Sequence, residues 1–401
     1  MRILVIANVV PYPAHGGLHQ RILALASRMA RAHDVTLACH SWSDDDEVAA
    51  RSLEETGIRV VTGRAHAFRS RHIPGALRAL LRGRPAELAL YRSAQLAQRL
   101  RALLAAETFD LVQVEETLLT HYFDLVPRER ARLRVLTLHN LHGVLTPRIA
   151  AIETAPLRRL WRAHAARAMR AYEPRAAAAV DLCFAVSEHD RASMQALAPR
   201  ARIEVVANGV DTRALARLPQ GDGGPVLVFV GSMRYRPCED AAIWFARRVL
   251  PRVRAHAADT RFLVVGRDPG GAVLALREDS VTVTGSVPDV VPYYRDARIA
   301  VVPLRAGGGS RLKILEAMAL GRPVVSTRIG AEGLLVEDGV HLLLADTEED
   351  FADAVLRLLG DAGLRERLAV AGRALVERHY DWDMIAATQQ RLLVGLVARP
   401  G

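Results

Sequence analysis

Short apolar runs the length of a strand alternate with amphipathic stretches the length of a helix, and the chain writes this alternation twice. Ile3 to Ala7, a helical pattern from about Leu18 to Ala32, Val35 to Ala38, Leu111 to Val114, Val135 to Leu138 and Leu182 to Val186 make the first series. Such a rhythm builds a parallel sheet, because strands that run the same way must be joined by crossover helices. A stretch from Leu218 to Pro225 rich in Pro, Gly and Asp then reads as a linker. Beyond it the rhythm restarts with Val226 to Val230, Phe262 to Val265, Val281 to Val283, Ile299 to Val302, Pro323 to Ser326 and Leu342 to Leu344. The expected fold class is α/β, with two doubly wound, Rossmann-like domains in tandem facing across a cleft at the C-terminal ends of their strands. The N-terminal domain is expected over residues 1–212 and the C-terminal domain over 213–382, with an amphipathic helix at 383–398 packing back on the first.

Composition removes several classes of function. At 401 residues, 50% hydrophobic and 24% charged, the chain is neither disordered nor fibrous. Three scattered cysteines, Cys39, Cys183 and Cys238, are too few for a disulfide framework or a zinc cluster and point to a reducing compartment, with the cytoplasm as default. Ile3 to Val10 runs into Pro11-Tyr12-Pro13 without a small-residue cleavage site, so a first strand explains it better than a signal peptide. No 18 apolar residues follow one another, so no span is expected to cross a membrane. Residues 1–180 hold 26 bases and 16 acids, so the whole +10 excess lies there. Two segments concentrate it: residues 64–102, with nine arginines and one acid, and residues 148–175, with seven arginines and two acids. Each reads as a basic amphipathic helix for an anionic membrane surface, or as an ordinary solvated arginine face. Nucleic acid is a poor partner, since no recognition module is present and few aromatics stand among the arginines.

The chemistry concentrates in Pro303-Leu304-Arg305-Ala306-Gly307-Gly308-Gly309-Ser310-Arg311-Leu312-Lys313-Ile314-Leu315-Glu316. A strand ends, glycines turn the chain, Ser310 offers an N-cap, and the helix that follows closes at Gly321. Backbone N–H groups and the positive end of a helix then converge on one point, a ready site for phosphate. Arg311 and Lys313 lie in the first turn, where cations are unfavourable unless an anion binds. Lys313 is the sole lysine among 54 basic residues, in a chain that otherwise uses arginine. A compact ammonium on a flexible stem is not interchangeable with a guanidinium fork. Glu316, three residues on, shares its face and could accept hydrogen bonds from ribose hydroxyls.

This stretch, continuing as Glu-Ala-Met-Ala-x-Gly-x-Pro-Val-Val-Ser-Thr, resembles the donor motif of the family 4 (group 1) glycosyltransferases of the two-domain GT-B fold. Asn208-Gly209-Val210-Asp211, Phe229-Val230-Gly231-Ser232-Met233, Val264-Val265-Gly266, Val283-Thr284-Gly285-Ser286-Val287-Pro288-Asp289 and Pro13-Ala14-His15-Gly16-Gly17 are similar to further segments of that family. The resemblance implies a retaining, metal-independent transfer of a sugar from a nucleoside diphosphate sugar to a hydroxyl acceptor, with no cofactor. It implies an acceptor-binding N-terminal domain and a donor-binding C-terminal domain. Glu316 would hold the ribose, Arg311 and Lys313 the departing diphosphate, and Gly16, Gly17, Gly231, Ser232, Val287, Gly308, Gly309 and Ser310 would line the donor. Gly308 stands where the family's first motif glutamate belongs, so contacts to the sugar hydroxyls fall to the loop amides. The family's Arg and Lys after the first strand of the second domain are not in register here, and Arg234 or Arg236 is the candidate substitute.

His139 ends an apolar strand, where the family places a histidine facing the donor sugar; His142 is its rival, and His15 and His19 border the first glycine loop. Asp44-Asp45-Asp46-Glu47 reads as a solvated helix N-terminus rather than a metal site. The expected setting is bacterial envelope polysaccharide or glycolipid synthesis with a lipid-linked or saccharide acceptor, in the cytoplasm or peripheral on the inner membrane face. A small-molecule glycosyltransferase, a sugar-nucleotide epimerase on the same fold and a non-catalytic nucleotide-sugar binder remain alternatives. Base, sugar and linkage are not written in these residues.

Overall fold

The computed structural model describes residues 1–14, 16–65, 81, 84–219, 224–309 and 311–398. His15, Ser310, residues 66–80 and 82–83 of the first basic segment, and residues 220–223 of the linker lie outside the described residues. The chain divides into two compact units, one of residues 1–150, 155–207 and 385–401, the other of residues 151–154 and 208–384.

The first unit holds a seven-stranded parallel sheet. Its strands are β1 (Arg2–Ala7), β2 (Asp34–Ser41), β3 (Arg59–Arg64), β4 (Phe109–Glu115), β5 (Ala131–Leu138), β6 (Leu182–Ala185) and β7 (Ile203–Val205), in the order β3-β2-β1-β4-β5-β6-β7. β1, β2, β4 and β6 are almost wholly buried, and β5 is buried over its C-terminal half, as expected of strands covered by helices on both faces. β3 and β7 have no strand-like signature in the sequence. They are the edge strands, where one polar flank is tolerated; β3 reads Arg-Val-Val-Thr-Gly-Arg. Gly63 within it abuts Leu96 so closely that a side chain there would collide with the backbone of the helix Ala94–Ala106. That helix turns Leu96, Ala97, Leu100 and Leu104 into the core. The leucines at 96 and 100 therefore belong to the interior, and the described part of the first basic segment offers no apolar stripe to a lipid surface.

The second unit holds β8 (Val226–Val230), β9 (Arg261–Val265), β10 (Val281–Gly285), β11 (Ile299–Val302), β12 (Val324–Ser326) and β13 (Leu343–Leu344), parallel in the order β10-β9-β8-β11-β12-β13. The two sheets with their flanking helices are the α/β architecture expected from the rhythm. Asp44 to Glu47 open the helix Asp44–Glu54 behind a Ser43 capping box, which accounts for that acidic run.

The division falls after Ala207 because the next residues pair with the end of the chain. Val210 bridges Asp381, its N–H donates to the Tyr380 carbonyl at 2.8 Å, and the Asp381 carboxylate accepts from the Thr212 hydroxyl at 2.5 Å. The other oxygen of Asp381 accepts from the Asp383 N–H at 2.8 Å and so caps the helix Trp382–Val397. That helix starts in the second unit and from Ile385 onward belongs to the first. No helix among the described residues is long and apolar enough to cross a membrane.

Asp381→Ala removes both a cap and a partner of Thr212. It is expected to cost about 1–2 kcal/mol, measured by urea denaturation, with Asp381→Asn losing less; equal losses from the two would remove the charge from this account.

Candidate active site

In the second unit the site is built where β8 and β11 end side by side. After β11 the chain passes through Gly307 (φ +154°) and Gly309 (φ +66°) into the helix Leu312–Ala319. Both angles lie in the region L side chains rarely adopt, so the glycines are required by the turn. Arg311 is the N-cap residue of that helix and makes no side-chain cap; the expected cap, Ser310, lies outside the described residues. The Arg311 guanidinium folds back to donate to the carbonyls of Gly308 and Gly309 and is buried. Arg311 thus clamps the loop from inside instead of presenting its charge outward, because the tight glycine turn leaves those carbonyls without helical partners.

Lys313 takes the other course. Its Nζ lies 3.2 Å from Cys238 Sγ and 4.5 Å from the centroid of the Phe229 ring, a cation–π contact. A Cβ at Gly231 would come within 2.7 Å of Nζ, so the glycine that follows β8 is the gap that admits the ammonium. Among the described residues no carboxylate pairs with Lys313. Nearby acids are committed elsewhere: Asp240 holds Arg305 through two hydrogen bonds of 2.6 and 3.0 Å, and Glu239 holds Arg236 at 2.8 Å. Arg236, whose guanidinium also donates to the Ile152 carbonyl, is a structural clamp; Arg234 is exposed. Glu316 is half-buried one turn from Lys313, near Tyr294, whose hydroxyl donates to the Lys313 carbonyl at 3.3 Å. Burial first, and the Glu316 charge second, push the Tyr294 phenol well above its ordinary value. Ser232 and Val287 are half-buried after β8 and β10 respectively.

In the first unit β1, β4 and β5 are adjacent and parallel, so their C-termini share one edge. His139 follows β5 and is buried, its Nε2 2.6 Å from Glu115 Oε2 at the end of β4. Burial holds His139 below its ordinary range against the pull of Glu115. Burial also raises Glu115, but the His139 hydrogen bond, His139 and Arg21 bring it below the usual carboxylate range. The pair is a neutral imidazole on an ionised carboxylate. Arg21, from the helix Gly17–Met29, is fully buried, donates to the Ala207 carbonyl at 2.7 Å, and is lowered by burial to about 10. Gly16 is the extended N-cap of that helix and Gly17 its first residue. His142 opens the helix His142–Ala151, with its Nε2 buried and unpartnered and its pKa lowered by burial to about 4.

Glu116 is the residue the sequence reading missed. It is buried and its backbone stands at φ 121°, ψ 143°, a conformation nearly reserved for glycine. Asn8 Nδ2 donates to its carboxyl at 3.3 Å, while Asn8 Oδ1 is buried without a partner. Burial, then repulsion from Glu115 and Glu173, raises Glu116 to about 7. Glu173, from the helix Pro156–Ala178, accepts from the N–H groups of His142 and Gly143 and is likewise raised by burial to about 7. The signal was legible: Glu115-Glu116 closes an apolar strand at the edge where ligand groups collect in open α/β sheets.

Against known proteins, residues 15–214 match the model described as Glycosyltransferase Family 4 and residues 224–361 that described as Glycosyl transferases group 1. The chain belongs to the family 4, group 1 glycosyltransferases. It is 31% identical over 204 residues to a phosphatidyl-myo-inositol mannosyltransferase of Mycobacterium leprae, covering 47% of this chain and 52% of that protein. It is 29% identical over 332 residues to a D-inositol 3-phosphate glycosyltransferase of Kribbella flavida, covering 74% of each. The match thus spans about half the length of the first relative. Among solved structures, the fold is that of a sucrose-phosphate synthase from Thermosynechococcus elongatus, with a TM-score of 0.76 and 18% identity over 99% of this chain and 100% of that one. Both sheets are therefore those of a GT-B glycosyltransferase.

Glu116 supplies a test through stability. Its folded pKa, about 7, lies above the ordinary 4.5, so its contribution is fully present below the unfolded value and is lost as pH rises through the folded one. Glu116→Gln is expected to melt progressively higher relative to wild type between about pH 5 and about pH 8, by ~1–3 kcal/mol at the upper end. A difference independent of pH would show that Glu116 is ionised in the fold throughout.

Proposed function

We propose that this glycosyltransferase is retaining and metal-independent, and that it moves a sugar from a nucleoside diphosphate sugar to a hydroxyl of a lipid-linked or saccharide acceptor. The observation that carries this reading is Lys313: an ammonium at the head of the glycine-loop helix, against Phe229 and Gly231, with no carboxylate paired to it among the described residues. Such a group answers the charge of a diphosphate, which the helix N-terminus also favours. Glu316 takes the ribose, Gly231, Ser232, Val287 and Gly308 to Ser310 line the donor, and Gly16 and Gly17 let backbone approach the phosphates. Arg311 supports the loop in the conformation described and joins the phosphates only if it releases the Gly308 and Gly309 carbonyls.

Transfer on this reading breaks the bond from the anomeric carbon to the diphosphate oxygen and forms the bond to the acceptor oxygen on the same face. The acceptor proton passes to the departing diphosphate. Positive charge from Lys313 and the loop amides stabilises that leaving group, the role a divalent cation would otherwise fill. His139, held by Glu115, contributes from the end of β5 toward the reacting sugar.

The acceptor is proposed to be presented at an anionic membrane during envelope glycolipid or polysaccharide synthesis, with the enzyme cytoplasmic and peripheral on the inner face. The names of the two relatives, both acting on inositol compounds, support a polyol or lipid acceptor. At the start of the helix Pro156–Ala178, Leu157, Leu160 and Trp161 are 83%, 71% and 55% exposed, with Arg158 and Arg159 beside them. Large apolar side chains set among arginines suit an interface of acyl chains and anionic headgroups. Met169, further along the same helix, is buried, so only its first turns are available.

A thermal-shift series with UDP, GDP, TDP and ADP sugars is expected to show one nucleotide class raising the melting temperature of the wild type. Lys313→Ala should abolish most of that shift; an undiminished shift removes Lys313 from the donor site. With the stabilising donor, product NMR should show the anomeric configuration kept and turnover should survive a chelator. Sedimentation with anionic vesicles should fall steeply at high salt and several-fold in Trp161→Asp, whereas salt-independent partition would exclude the membrane arm.

A further inference from the structure

The helix Trp382–Val397 buries Ile385, Ala386, Leu393 and Leu396 on one face, and in the middle of that apolar stripe stands a fully buried Gln389. A leucine would serve the packing better, because burying an amide strips it of its hydrogen bonds to water. Gln389 is instead the first member of a buried polar chain. Its Nε2 donates to Gln113 Oε1 at 3.1 Å, across 276 positions of sequence. Gln113, buried in β4, donates through its own Nε2 to Glu115 Oε1 and approaches Thr137 Oγ1 at 3.3 Å. Thr137 donates to the same carboxylate oxygen at 3.3 Å, and Glu115 Oε2 receives His139 Nε2 at 2.6 Å.

The chain has a direction. An ionised Glu115 only accepts, so Gln113 must turn its NH2 toward it and thereby present its carbonyl oxygen the other way. That oxygen needs a donor, and the NH2 of Gln389 supplies one. With Nε2–H committed to Glu115, the neutral His139 ring carries its lone pair on Nδ1, so the amide at 389 and the tautomer at 139 are set by one continuous arrangement. The other charged or titratable groups acting on His139 are Arg21 and His142.

We propose that Gln389 is a positioning residue for His139, fixing the tautomer and ring orientation of the histidine through Gln113 and Glu115. The helix that carries Gln389 leaves the second unit at Met384 and enters the first at Ile385. Its seating is thereby coupled to the histidine at the end of β5. The catalytic consequence rests on the reading of His139 given under Proposed function; the tautomer itself does not.

The test uses Gln389→Leu and Gln389→Glu in the full chain, with His139 assigned by comparison with His139→Gln. Imidazole 15N shifts are read in the free protein, together with kcat and donor KM. Gln389→Leu keeps the volume and deletes the donor; Gln389→Glu sets an acceptor against an acceptor and should disturb the chain more. Both are expected to move the His139 signals away from the pure Nε2–H tautomer and to lower kcat about 10- to 100-fold, with donor KM within about twofold. Unchanged His139 shifts in folded Gln389→Leu would overturn the proposal, even if its melting temperature falls, since a packing role alone predicts that pattern. If Gln389→Glu does not fold, Gln389→Leu decides. A protein without transferase activity on any donor would refute the functional reading and leave the 15N result to decide the positioning role.

Discussion

Both sheets are parallel throughout, and nearly everything of chemical interest follows from that constraint. A parallel strand must be followed by a helix that returns the chain to the starting edge, so every loop after a strand gathers at one edge and every loop before a strand at the other. In the first unit this sets Asn8, Glu116 and His139 at one edge, although Asn8 stands more than a hundred residues from the other two. In the second it sets Gly231 after β8 next to the glycine run after β11, so a lysine on the following helix reaches the gap left by a missing side chain. Local sequence decides which groups are offered; strand direction decides which of them meet.

The two units solve opposite electrostatic problems. The second keeps a cation at a helix start, with no carboxylate partner among the described residues, against an aromatic face that favours positive charge without neutralising it. The first buries carboxyls. Glu115 is pulled below the usual carboxylate range by His139 and Arg21, while Glu116, one residue on, is raised to about 7 by burial and by repulsion from Glu115 and Glu173. Two adjacent glutamates with different protonation, one on a strained backbone, form the kind of pair that environments at strand ends create.

Much of the fold was legible because burial on both faces leaves an unmistakable apolar run; β8 and β11 match their expected residues. The edge strands β3 and β7 were not legible, since a strand covered on one flank only needs no such run. The glycine loop and Lys313 could be read from composition and turn chemistry. The inward fold of Arg311 could not, because it answers carbonyls that only the closed turn exposes. The position of Glu115 at the end of an apolar strand was legible, but its partners were not: hydrogen bonds to Gln113, Thr137 and His139, and on to Gln389, span 2 to 276 positions and have no periodicity to betray them. The leucines at 96 and 100 show the converse error, where arginines around an apolar stripe suggest a surface although the stripe faces the core.

Lys313 carries a practical consequence. A chain with one lysine has a single side-chain amine, and here that amine sits half-buried between a thiol and a ring at the head of the glycine loop. Apart from the α-amino group, an amine-directed reagent has one address on the protein. Protection of that address by a bound anion, read as a mass increment that fails to form, turns the composition of the chain into a direct gauge of anion occupancy at the head of the glycine loop.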